Sequence, residues 1–129
     1  MNEQDRDKYI AERFAKLPKK ITVGSLVYEV RILNVLNLTD TASAPLGFTD
    51  RNMGTITITV TGNLSQDTNT LWHELLHCVF WEMGMTQNLP EEEEPIVNLM
   101  SNGICAMMMR NPSLSTWFHA AWGGVNVGY

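Results

Sequence analysis

His73-Glu74-Leu75-Leu76-His77 sets two imidazoles four residues apart, with a carboxylate directly after the first. On an α-helix, residues i and i+4 stand one turn apart on the same face, so both rings can converge on one Zn²⁺. Glu74 then projects beside the metal, placed to take a proton from a zinc-bound water whose pKa falls to about 7. Attack of the resulting hydroxide on a metal-polarised carbonyl lets Glu74 pass that proton to the leaving amine. The pattern predicts Zn²⁺ as cofactor, His73 and His77 as ligands, and Glu74 as catalytic general base. The competing reading is a helix whose histidines merely satisfy local hydrogen bonds. It has to explain a segment, Thr68 to Trp81, that is almost wholly apolar around His73, Glu74 and His77. A helix apolar on nearly every face is buried, and buried ionisable groups need partners.

A catalytic zinc takes a third protein ligand and keeps one position open. The extended pattern H-E-x-x-H-x-x-G-x-x-H is absent, because Phe80 and Met83 stand at its Gly and His positions. The remaining candidates are Glu91 to Glu94 and His119. The acidic run begins 14 residues after His77, room enough for a helix to end and the chain to return antiparallel. Glu94 stands out because Glu94-Pro95-Ile96-Val97-Asn98 opens the next helix toward the core, and Glu93 competes with it because Pro95 blurs where that helix starts. Four glutamates at a helix N-terminus also have a plain electrostatic explanation, the positive end of the helix dipole. His119, between aromatics in Trp117-Phe118-His119, is the weaker ligand candidate. His119, Tyr28 and Tyr129 are all candidates for a hydrogen-bond donor to a transition state, and nothing in the sequence selects among them.

The elements that must position these groups follow from periodicity. Tyr9, Ile10, Phe14 and Leu17 recur at helical spacing among charges, predicting an amphipathic helix over 3–17 that Pro18 closes. Two β-rich runs flank Gly24-Ser25, a two-residue hairpin turn. Residues 37–47 are small, polar and Pro/Gly-bearing, hence a loop. Gly47-Phe48-Thr49 starts a strand, with 50–54 as its turn, and Thr55 to Val60 alternates strictly with a polar threonine face. After a turn at Gly62-Asn63, Ser65 to Thr68 offers N-cap candidates for a helix over 67–83, ended by Gly84. A last helix ends near Arg110-Asn111-Pro112. Met107-Met108-Met109 on it reads as core filler, and 115–129 as an apolar, Gly-rich tail.

The chain has 129 residues, which argues for a single domain over 1–129. Hydrophobic residues at 44% and charged residues at 18% place it among globular sequences. No uncharged stretch approaches a membrane span of about 20 residues, and the charged N-terminus does not resemble a signal peptide. Cys78 and Cys105 fall in apolar helical patterns, as buried thiols of a reducing compartment do, so a cytoplasmic location is expected. The net charge of −5 is uneven. Residues 1–20 carry six Lys/Arg against four Asp/Glu, whereas 82–94 carry five glutamates and no base. Without a basic stripe, nucleic acid is not an expected partner.

Thr70-Leu71-Trp72-His73-Glu74-Leu75-Leu76-His77-Cys78-Val79 resembles the zinc signature of neutral metallopeptidases. The wider arrangement is similar to the small zincin-like metallopeptidases of phages and prophages. The shared features are Pro18-Lys19-Lys20-Ile21 before a hairpin, the strand Thr55 to Val60, the acidic run Glu91 to Glu94, and a helix through Ser101-Asn102-Gly103 to Asn111-Pro112. The likeness spans about 18–114. More distantly, Glu94-Pro95-Ile96-Val97-Asn98 is similar to the Glu-x-x-Ala-Asn segment of repressor-cleaving metallopeptidases of mobile elements, with Val97 at the Ala position. Pro95, Cys78 and the tail after Leu114 depart from these patterns. The resemblance implies His73, His77 and Glu94 as ligands, Glu74 as base, and a protein or peptide substrate met in a host bacterial cytoplasm.

Together these readings give an α+β, zincin-like fold: a small antiparallel sheet packed on the His-Glu-x-x-His helix and a C-terminal helix. The strand Thr55 to Val60, at the sheet edge beside the cleft, would take an extended peptide by strand addition. The alternative function is a catalytically inactive, zinc-stabilised module that binds a host or phage protein through the apolar tail.

Overall fold

A computed structural model describes residues 2–34 and 46–123. The order is α1 (Glu3–Phe14), β1 (Lys20–Val23), β2 (Leu26–Asn34), β3 (Gly47–Asp50), β4 (Thr55–Val60), α2 (Leu64–Glu82), α3 (Met85–Asn88), α4 (Glu93–Arg110) and α5 (Pro112–Trp122). The architecture is α+β, with four strands in the order β1-β2-β4-β3. The sheet is mixed rather than antiparallel: β1–β2 and β3–β4 are antiparallel, but β2 and β4 run parallel, with Glu29 opposite Thr55 and Asn34 opposite Val60. Two strands joined by a tight turn must pair antiparallel, whereas β2 and β4 are separated by a long connection that can return the chain in the same direction. Most of the expected loop over 37–47 lies outside the described residues, and Gly47 opens β3.

The parallel pairing puts β4 in the interior of the sheet, so the edges are β1 and β3, and it is β3 and not Thr55 to Val60 that forms the edge beside α2. β4 is covered on both faces, although one of them is lined with threonine. Ile56, Ile58 and Val60 are fully buried, and Thr55 and Thr59 on the other face are buried too. The Gly24-Ser25 turn forms as expected, with Gly24 at φ 59, the left-handed conformation that the first turn position of a tight hairpin requires.

The apolar character of α2 has a direct cause: it is packed on two sides. Leu71, Leu75 and Cys78 join Ile56, Ile58, Val60, Tyr28 and Phe14 in the core against the sheet. Leu76 and Phe80 turn the other way, onto Val97, Ile96 and Ile104 of α4. Each fully buried aliphatic or aromatic side chain of this kind contributes about 1.5–3 kcal/mol. His73, Glu74 and His77 emerge on the remaining stripe, between the sheet edge and the start of α4.

Two polar clamps fix how α2 lies on the sheet. At its start Asn63, rather than any residue of Ser65 to Thr68, is the N-cap, its side chain accepting from the Gln66 N–H at 3.1 Å. Asp67, fully buried, accepts from the Thr61 N–H (2.9 Å), the Thr61 hydroxyl (2.8 Å), the Gly62 N–H (3.2 Å) and the Tyr9 hydroxyl (2.8 Å). One carboxylate thus ties together the end of β4, the first turn of α2, and α1. Burial and this carboxylate together push the Tyr9 hydroxyl well above its usual pKa. At the far end, Glu82 accepts from the Ser25 N–H and hydroxyl, both at 3.1 Å, and holds the β1–β2 turn.

Two further expectations are corrected at the end of α4 and beyond it. Residues 115–129 do not begin as a Gly-rich tail: Pro112, at a first helical position where its missing N–H costs nothing, starts α5, which runs to Trp122. Met107 and Met109 are exposed rather than core filler. Residues 124–129, Tyr129 among them, lie outside the described residues. No described helix is long and apolar enough to cross a membrane.

Candidate metal centre

The first turn of α4 meets the middle of α2 at His73 and His77. Glu94 Oε1 lies 2.8 Å from His73 Nε2, Glu94 Oε2 lies 2.9 Å from His77 Nε2, and the two Nε2 atoms are 3.2 Å apart. His73, His77 and Glu94 each offer one ligand atom, all within 4.8 Å of one another. The rings meet edge to face with centroids 4.9 Å apart, so the two nitrogens converge on one point without the rings stacking.

Glu93 does not join this cluster as a ligand. It sits on the opposite side of His77, its Oε2 2.5 Å from Nδ1. The reason both glutamates are used lies in helix geometry. α4 starts at Glu93, and successive residues on a helix point about 100° apart, so Glu94 faces the Nε2 pair while Glu93 reaches behind one ring. Pro95 is harmless in the first turn, where backbone N–H groups have no helical acceptor. Burial pushes the Glu93 carboxyl up, but the Thr86 hydroxyl and His77 imidazole facing it outweigh that and hold its pKa below the usual value. An ionised Glu93 can only accept, so His77 donates its Nδ1–H to it, and the neutral ring then presents the Nε2 lone pair to the cluster.

Glu74 is buried, and its environment is built by β3. The Thr49 hydroxyl donates to Glu74 Oε1 at 2.8 Å. Gly47 lies so close that an added Cβ would stand 2.8 Å from Glu74 Oε2 and 2.8 Å from Thr70 Cγ2. The edge strand therefore approaches the carboxylate only because position 47 has no side chain.

Two cavities meet here. One of about 520 Å³ runs along the first half of α2, between Gly47, Asn63, Gln66, Asn69 and Asn98, and reaches His73 and Glu74. The other, about 270 Å³, holds His73, Glu74, His77, Glu93 and Glu94 and is walled by Phe48, Thr49 and Arg51. His73, Glu74 and Gly47 line both, so the histidine–carboxylate cluster stands at the junction of one groove.

Of the residues singled out in the sequence, His73, Glu74, His77 and Glu94 come together in this way. His119 is exposed on α5 and is not part of the cluster. Tyr28 is fully buried in the core, against the Cys78 thiol, and lines neither cavity. Burial pushes its hydroxyl pKa up to about 12. Thr49 and Gly47, which shape the Glu74 site, carried no signal in the sequence beyond membership of a short strand. Asp67 did carry one, as a charge that a helix buried against a sheet cannot leave unpartnered. Comparison with protein-family models, with curated proteins and with solved structures finds no match for this chain.

Proposed function

We propose that this protein is a zinc-dependent peptidase in which His73, His77 and Glu94 hold the metal and Glu74 is the general base. The observation that carries the reading is the convergence of three donor atoms from two separate helices at the junction of a groove, beside a buried carboxylate. The donor set fits Zn²⁺. The two Nε2 atoms, 3.2 Å apart, match the edge, about 3.3 Å, of a tetrahedron of donors 2.0–2.1 Å from zinc, and each faces one oxygen of Glu94, at 2.8 and 2.9 Å. Two imidazole nitrogens and a carboxylate facing one another suit a cation between them, and Glu93 on Nδ1 is the outer partner that metal-binding histidines commonly have.

When bound, Zn²⁺ supplies Lewis acidity toward a carbonyl oxygen and brings the pKa of a water toward about 7. The chain does the rest. Glu74, held by Thr49, receives the proton of the attacking water and returns it to the departing amine nitrogen. Glu93 fixes the His77 ring, and β3 offers an edge strand beside the cleft along which an extended peptide substrate can lie. Glu74→Gln is expected to keep the metal and lower peptide hydrolysis roughly 10²- to 10⁴-fold. Undiminished hydrolysis in that variant would sink the mechanism.

One feature favours a second reading, a zinc-stabilised binding module that need not cleave its partner. Trp117, Phe118 and Trp122 are exposed on α5, where their rings contact one another edge to face. Exposed aromatic clusters of this kind mark contact surfaces. On that reading Glu74→Gln leaves the biological effect intact.

A further inference from the structure

Arg51 stands on the turn between β3 and β4, and its guanidinium carbon lies 4.4 Å from the centroid of the Trp81 ring. Trp81 follows His77 by four residues, as His77 follows His73. The platform that carries the guanidinium therefore continues the histidine stripe by one helical turn, about 6 Å along the axis. Arg51 also walls the 270 Å³ cavity that contains His73, His77 and Glu94. It is half-buried, and among the described residues it makes neither an ion pair nor a hydrogen bond. The nearby Glu93 carboxylate feels the Arg51 charge but is bonded to His77 and not to the guanidinium. A guanidinium oriented by stacking, with its N–H donors unused, in a cavity beside a metal cluster is a built receptor for a planar anion.

We infer that Arg51 anchors a carboxylate of the substrate, one or two residues from the scissile bond, on the Phe48–Arg51 side of the cleft. This rests on the peptidase reading above, since the planar anion an unmodified peptide carries is a carboxylate. Trp81 lies about 6 Å along the α2 axis from His77, a span of one to two residues of extended peptide at about 3.4 Å each. Two sources present that group, an Asp or Glu side chain and the C-terminal carboxylate, and both suit the fork of an arginine.

The test measures binding, so it does not depend on turnover. Three hydroxamate-capped dipeptides are titrated calorimetrically into the zinc-loaded protein, with zinc content measured on the same sample. They end in Gln-amide, which carries no carboxylate, in Glu-amide, and in Gln with a free C-terminus. At least one of the two carboxylate compounds is expected to bind about tenfold more tightly than the Gln-amide compound. In Arg51→Gln that preference vanishes while the Gln-amide compound binds as before, and Arg51→Lys keeps only part of it. Which carboxylate compound shows the preference identifies the source of the carboxylate. No preference in the wild-type protein, or a preference that survives Arg51→Gln, overturns the inference. So does equal weakening of all three compounds in Arg51→Gln, which would make Arg51 a counter-charge to Glu93 and nothing more. Zinc bound without binding of any compound closes the cavity to ligands and overturns it as well. A protein that takes up no zinc removes the metal reading, and this inference with it.

Discussion

α2 and α5 carry similar local sequences and end in opposite situations. Each sets a histidine directly after an aromatic residue, Trp72-His73 in one and Phe118-His119 in the other, in a helix poor in charge. α2 is pinned on two sides, by the sheet through Leu71, Leu75 and Cys78 and by α4 through Leu76 and Phe80. Its third stripe cannot turn to solvent at will, and it meets Glu93 and Glu94 at fixed distances. Among the described residues α5 has no such second layer: it packs on α4, and Trp117, Phe118, His119 and Trp122 stay exposed. A histidine becomes part of a site when the surrounding layers take away its freedom to point elsewhere, and composition alone does not distinguish the two cases.

Three substitutions would break or sharpen that contrast. The largest effect is expected at Asp67, the clamp that orients α2. Asp67→Ala orphans the Thr61 N–H and hydroxyl, the Gly62 N–H and the Tyr9 hydroxyl, and should cost roughly 3–5 kcal/mol by urea denaturation. A cost below about 1 kcal/mol would mean that α2 is held by its apolar faces alone. Next comes Glu93→Gln. It keeps the shape but weakens the hold on the His77 Nδ1 proton, and zinc affinity should fall roughly 10- to 100-fold in a competition titration with a chromophoric chelator. If affinity is unchanged, Glu93 is a helix-terminal charge rather than a partner of the ring. The smallest effect belongs to α5: Trp117→Ser should change stability by no more than about 0.5 kcal/mol, because most of the side chain is exposed. A larger loss would show that α5 is integrated into the fold as α2 is.

The site was far more legible in the sequence than the sheet that supports it. His73, Glu74 and His77 announce themselves because helix geometry is local: four residues always make about one turn, whatever the fold. Glu94 and Glu93 were reachable because Pro90 and Pro95 bracket a short acidic segment, but dividing the roles between them needed the actual start of α4. The parallel pairing of β2 with β4 was not legible, since strand direction depends on the path of the intervening connection rather than on alternation within either strand. The same loss hid the function of Gly47 and Thr49. Their importance comes from β3 being the edge strand against α2, a tertiary fact with no local signature. The exposed methionines Met107 and Met109 teach the reverse lesson: apolar residues at helical spacing are core only where another layer arrives to cover them.

The central claim is that His73, His77 and Glu94 form one metal site, and metal content tests it most directly. Elemental analysis of the purified protein, beside His73→Ala and Glu94→Ala, should find about one zinc per chain in the wild type. Zinc should be lost in His73→Ala and weakened in Glu94→Ala, with His119→Ala as the unaffected control. Absence of any divalent metal from the wild-type protein, even after zinc is added back at neutral pH, would contradict the account.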